Sequence, residues 1–224
     1  MMWDTMSEAW RVSFEQAWEA YCQGSVPIGA ALVDTTGKVV VKGRNRIYET
    51  QAPAGTVHGH KLAHAELNCL LQLQGQDLSE VRSYTLYTTV EPCPLCFGAL
   101  VMSNVRNLRY AARDAWAGSA DLIRANHYLR SKPLRFDGPE PVLGEVAALL
   151  HSVYVLERVA KRGKESELIA AWAIDYPKGV ALARIWFENN TLSQGRILGW
   201  TAEKVFGTIV AELDQDQTQS QESV

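Results

Sequence analysis

Two short motifs, His64-Ala65-Glu66 and Pro92-Cys93-Pro94-Leu95-Cys96, oblige this chain to bring distant segments to a common centre. One imidazole and two thiolates are three ligands of a zinc site that keeps a fourth position for water, and Glu66 stands beside them unclaimed by the metal. The spacing works if each motif opens a helix. Apolar Leu67, Leu70, Leu71 and Leu73 predict a helix over 63–74, and Leu95, Phe97, Leu100 and Val101 predict one over 94–103. Pro94 suits a first helical position, and Pro92 keeps the residue before it extended. Cys93 and Cys96 then share a helical face whose positive end favours thiolates. His64 and Glu66 converge only at a first turn, His64 as ligand and Glu66 toward the water position. A site with two thiolates and a neutral imidazole polarises water weakly, so a nearby base is required. Glu66 is placed to take that proton and return it to a leaving group, and an amine needs it most.

The rest of the chain alternates strands and helices. A first helix carries Trp10, Phe14, Ala17, Trp18 and Tyr21 on one face. A hairpin over 28–34 and 39–43 turns at Thr36-Gly37, and strands over 84–90 and 105–111 flank the Cys93 helix. That order predicts an α/β domain. Beyond Arg162, apolar residues from Leu168 to Val210 recur at helical spacing, broken by Pro177, Gly195 and Gly199. We expect a catalytic domain over 1–162 and two or three helices over 163–213, packed against that domain or serving a subunit interface; a lid is the lesser reading. The stretch 214–224 is polar enough to predict disorder.

With 224 residues, 47% of them hydrophobic, the chain can bury a sizeable core. No apolar run reaches the roughly 18 residues a membrane span needs, and Met1-Met2-Trp3-Asp4 lacks a basic region before an apolar one. Four cysteines, two of them in the motif, suit a reducing compartment, so a cytoplasmic location is expected. Cys22 and Cys69 read as small core residues.

The ordered set Val26-Pro27-Ile28-Gly29-Ala30, Gly43-Arg44-Asn45-Arg46, Ala63-His64-Ala65-Glu66, Tyr87 to Leu100 around Glu91-Pro92-Cys93, and Ala112-Arg113-Asp114 with Gly118-Ser119 resembles the cytidine deaminase superfamily. Within it, the chain resembles the bacterial tRNA adenosine deaminase and guanine deaminase branch. That resemblance implies a three-layer α/β/α sandwich with zinc at two helix starts, hydrolytic removal of an amine from a nucleobase or nucleoside, and a homodimer. It also carries substrate contacts to Asn45 and Asp114. Asn45 reads equally as a turn residue, Asp114 as a solvated loop acid, and Trp116 either stacks on a base or is buried. Two features depart from the branch: the helical extension, and a long segment between Asn45 and His64 whose His58 and His60 face solvent, contact substrate or complete the zinc site.

Substrate class turns on charge. Arg158, Lys161, Arg162 and Lys164 form a weak basic run, and Arg106, Arg109 and Arg113 add charge near the fourth strand. Against them stand a net charge of −3, a pI near 6.0 and an acidic tail. A free nucleobase or nucleoside is therefore favoured over tRNA. Other classes fit less. A structural zinc module takes four protein ligands and has no use for Glu66; a thiol oxidoreductase leaves His64 and Glu66 unexplained; and a nucleic-acid-binding protein with a dead core predicts damage to a motif that is intact.

Overall fold

The computed structural model describes residues 2–73, 75–159 and 167–221. After a short turn at Trp3–Thr5, α1 (Glu8–Cys22) is capped by Ser7, whose hydroxyl accepts from the Trp10 N–H at 3.4 Å. The hairpin of β1 (Gly29–Val33) and β2 (Val39–Arg44) follows, its turn held by the Asp34 carboxylate, which accepts from the Thr36 and Lys38 N–H groups. Then come α2 (Ala65–Leu70), α3 (Leu78–Val81), β3 (Thr85–Val90), α4 (Pro94–Met102), β4 (Asn107–Ala112), α5 (His127–Arg130), β5 (Arg135–Asp137) and α6 (Pro141–Val159). Four helices close the described chain: α7 (Glu167–Asp175), α8 (Pro177–Glu188), α9 (Thr191–Ile197) and α10 (Ala202–Gln221).

The strands form one mixed sheet in the order β2-β1-β3-β4-β5, with β1 antiparallel to both neighbours and β3, β4 and β5 parallel. Alternate side chains leave a strand on opposite faces, and the core divides accordingly. Leu32, Leu86 and Leu108 pack with Cys69, Leu70 and Leu100 on one face, under α2 and α4. Tyr87 and Ala111 pack on the other with Trp10, Phe14, Val146 and Leu150, under α1 and α6. The expected three layers are present, and every residue of β1 is buried, as a strand covered on both sides requires. A Cβ on Gly43 would lie 2.5 Å from the Ala65 carbonyl oxygen and 2.8 Å from the Cys69 nitrogen. Glycine at that point lets α2, the helix bearing Glu66, lie directly on β2.

Sequence periodicity missed α6 and β5. The three-residue β5 exists only as a partner for β4, and so has too little pattern to read. The extension holds four helices rather than two or three, because the chain also breaks at Asn190, whose left-handed φ of 54° separates α8 from α9. These helices share the apolar cluster of α1 and α6: Phe206 meets Phe14 and Trp3 edge-on at 5.5 Å each, and Trp18 Nε1–H donates to the Trp200 carbonyl at 2.8 Å. The boundary expected at 162 lies outside the described residues. Where polarity predicts disorder from 214, α10 continues to Gln221, and 222–224 lie outside the described residues. Cys69 is buried as expected, Cys22 is half-buried, and all four cysteines are free. No described helix is long and apolar enough to cross a membrane.

Candidate active site

Both motifs open helices. His64 is the N-cap of α2 and Cys93 the N-cap of α4, each with extended backbone, and Pro94 takes the first position of α4. Capping positions are half outside the helix, so the side chains of His64 and Cys93 swing toward each other instead of along their helices. His64 Nδ1 lies 3.5 Å from Cys93 Sγ and 3.4 Å from Cys96 Sγ, and the three donor atoms all fall within 4.8 Å of one another. Tetrahedral zinc with ordinary Zn–N and Zn–S bonds separates an N and an S ligand by about 3.6 Å, so these residues fit the ion. Among the described residues the group has three members, leaving one tetrahedral position without a protein ligand.

The donors bias one another's protonation. The bond from Cys96, ahead of burial's opposing push, brings the Cys93 thiol down to about 4. The same bond, followed by burial, drives Cys96 well up, and the bond with Cys93 raises His64. Both sulfurs must be thiolates to act as ligands, so loading the site releases protons.

Glu66 stands in the first turn of α2, only 4% exposed. Its Oε2 is 3.3 Å from Cys96 Sγ, and its Oε1 accepts from the Thr88 hydroxyl at 3.3 Å. Burial raises its pKa above the usual carboxylate range. Thr88 escaped the sequence reading, although strand alternation puts it on the same face as Leu86, toward α2.

The other candidate residues have local partners of their own. Asn45 is buried just after β2, and its Oδ1 accepts from the Ile47 N–H at 3.2 Å, as one of the two readings of it, the turn residue, requires. The next residue, Arg46, donates its N–H to the carbonyl of Ala63, directly before His64. Asp114 is half-buried in the loop after β4, its Oδ1 accepting from the Trp116 and Ala117 N–H groups at 2.9 and 3.1 Å. Trp116 is 59% exposed, so the buried reading of this indole is corrected: the tight turn made by Asp114 carries it outward. His58 and His60 are exposed, His60 Nδ1 accepts from the Leu62 N–H, and neither joins the metal-ligating group. Asn68 on α2 was also missed. Its side chain clamps the long preceding loop by pairing with both the N–H and the carbonyl of Val57.

The basic residues are largely engaged within the protein. Arg109 pairs with Asp137 and Glu140 at 2.7 and 2.9 Å, Arg106 is buried on the Val101 and Val105 carbonyls, and Arg158 stacks on Tyr48 and donates to the Gly24 carbonyl. Lys161, Arg162 and Lys164 lie outside the described residues.

A family model described as the cytidine and deoxycytidylate deaminase zinc-binding region matches residues 4–112, which include all four motif residues. The tRNA-specific adenosine deaminase of Rickettsia bellii is 30% identical over 149 residues, covering 62% of this chain and 92% of the relative. That of Bacillus subtilis is 33% identical over 112 residues, covering 50% of this chain and 64% of the relative. Against the first of the curated relatives the chain spans less than two thirds of the relative's length. The solved structure of NE0047 in complex with 2,6-diaminopurine, 24% identical with a TM-score of 0.50 over 66% of this chain and 80% of that one, shares the fold. On the family match and on 30% identity with a relative of which it covers 92%, this chain belongs to the cytidine and deoxycytidylate deaminase zinc-binding family.

Proposed function

We propose that the protein is a zinc-dependent hydrolytic deaminase that converts an amino-substituted nucleobase or nucleoside to its oxo product and ammonia. The observation that carries this reading is the buried Glu66 carboxylate 3.3 Å from a ligand sulfur in a group of three donors. His64, Cys93 and Cys96 would hold the ion. When bound, zinc supplies an electrophilic centre that acidifies water at the position the protein leaves open. Glu66 accepts the proton of that water as its oxygen adds to the amino-bearing ring carbon, and gives a proton to the adjacent ring nitrogen. It then takes the remaining proton from the added hydroxyl and gives it to the amine, the carbon–nitrogen bond breaks, and ammonia departs as the carbonyl forms. Thr88 holds one Glu66 oxygen, which leaves the other to move the proton. At 4% exposure bulk water competes poorly for this role.

Asn45 is the group we assign to the edge of the base, since its side-chain carbonyl serves the turn while its NH2 can still donate. Asp114 shapes the mouth of the site by holding the turn that presents Trp116. A structural zinc module would use a fourth protein ligand and would not bury a carboxylate beside the others.

A small substrate is supported by the net charge of −3 and by arginines already paired or stacked. A second reading, deamination of adenosine in tRNA, is favoured by the 33% identity with the Bacillus enzyme of that name. Free thiols at all four cysteines suit the cytoplasm, and a homodimer is the assembly we expect by analogy with relatives. The test is ammonia release by zinc-loaded protein from purines, pyrimidines, their nucleosides and tRNA. Turnover of a free base or nucleoside with weak dependence on salt is expected. Turnover of tRNA alone, falling steeply as salt rises, would establish the second reading, and no ammonia from any substrate would defeat both.

A further inference from the structure

The parallel ladder of β3 and β4 ends at Val90 opposite Ala112, and beyond it the two chains separate into different loops. One runs through Pro92 to Cys93, the other from Arg113 to Ala120 and carries Asp114 and Trp116. Between them lies Glu91, whose side chain the proposed chemistry does not use. Its N–H donates to the Ala112 carbonyl at 2.7 Å, adding one more bond past the end of the ladder. Its carboxylate is buried at 8% exposure and accepts two backbone N–H groups of the facing loop, Asp114 on Oε2 at 3.2 Å and Ala120 on Oε1 at 3.0 Å. A further bond, from the Ser119 N–H to the Pro92 carbonyl at 3.0 Å, closes the same seam.

We propose that Glu91 is a positioning residue: its carboxylate latches the Asp114–Ala120 loop onto the segment that delivers Cys93, and so fixes the substrate mouth relative to the ligand centre. The inference rests on the proposed deaminase reading. Both ends of the loop are held by one side chain, and its two acceptors are both in use. Gly118 shows how closely the loop lies on the latch, for a Cβ there would stand 2.3 Å from Glu91 Oε2 and 2.5 Å from the Asp114 carbonyl oxygen. Side-chain charge is not repaid by a nearby cation here, because among the described residues no salt bridge involves Glu91; backbone donors satisfy it. Glutamine matches the shape but not the chemistry, since it offers one acceptor oxygen and turns a donor toward the second N–H.

Glu91→Gln, Asp114→Ala and the double variant would be compared with the parent, using whichever substrate of the ammonia panel is turned over. Glu91→Gln is expected to keep full zinc stoichiometry and a kcat within about threefold, and to raise KM on the order of tenfold, the signature of a misplaced binding loop. In the Asp114→Ala background the same substitution should change KM less than about twofold, because both act on one loop. Gly118→Ala, which wedges a methyl group against the carboxylate, should reproduce the KM effect. Amide hydrogen exchange needs no turnover: in Glu91→Gln the Asp114 and Ala120 amides should exchange at least about tenfold faster while Leu108 in β4 does not. Unchanged exchange at both amides, an unchanged KM, or fully independent effects of the two substitutions would overturn the latch. If the parent releases no ammonia at all, the deaminase reading fails, and the exchange rates alone decide whether the loop is held as proposed.

Discussion

Replacing Glu66 by glutamine tests the centre of the chemistry with almost no change in volume. The amide can still accept from the Thr88 hydroxyl, so the side chain should stay where it is, 4% exposed and beside Cys96. What it loses is the ability to take up and return a proton. General acid–base catalysis is worth about 10²- to 10⁴-fold, or roughly 3–5 kcal/mol of barrier. Because Glu66 is buried, solvent is poorly placed to substitute for it, and the upper half of that range is expected. Zinc should remain near the parent's stoichiometry, since the ligand group is His64, Cys93 and Cys96 and does not include the carboxylate. The assay is ammonia release at saturating substrate alongside metal analysis of the same samples. A variant within about tenfold of the parent at full zinc would refute Glu66 as the proton carrier. Parallel loss of rate and metal would instead make it a support for the ligands.

Gly43→Ala should force α2 away from β2, because its Cβ has only 2.5 Å to the Ala65 oxygen; a cost of about 1–3 kcal/mol and weaker zinc retention in a chelator titration are expected, and no change in either would be inconsistent with the close approach. His151 stacks on Trp172 at 4.7 Å, and burial brings its pKa from 6.5 down to about 4, against the pull of Asp114. The unfolded chain therefore binds this proton more readily than the folded one, so the contribution to stability is complete above pH 6.5 and is lost as pH falls toward 4. Urea midpoints measured across that window should fall for the parent and flatten for His151→Gln; equal slopes would discount the histidine. Trp186→Ala removes an indole 2% exposed, whose Nε1–H donates to Glu212 at 2.8 Å, and should cost about 3–5 kcal/mol in denaturant melts with substrate preference unchanged. An altered preference would mean that α8 helps to form the substrate site.

The candidate ligand group was legible because its information is local. His64-x-Glu66 and Pro92-Cys93-Pro94-x-Cys96 each announce a helix start, and proline and spacing decide which side chains can turn back toward a shared ion. The amphipathic face of α1 was equally plain, with Trp10, Phe14, Ala17, Trp18 and Tyr21 all buried. Short β5 and the hydrogen bond from Thr88 to Glu66 were not legible as such, for each depends on a partner distant in the chain. The continuation of α10 past Asp214 also defeated a reading by polarity: glutamine and glutamate are good helix formers, and a helix already anchored by Val210 and Leu213 needs no new nucleus to extend.

From residue order alone came the ligand types, the neighbouring carboxylate and the alternation of strands with helices, since these follow from chemistry within a few bonds and from periodicities of two and 3.6. Tertiary structure decided the rest. It set the 3.4–3.5 Å spacing that fits a metal ion, put Gly43 under the Glu66 helix, joined the loop after β4 to Glu91 and seated α7 to α10 on the face of α1 and α6. Those outcomes depend on which surfaces meet when the sheet closes, and close packing across the sheet is a property of pairs of segments that neither segment encodes by itself.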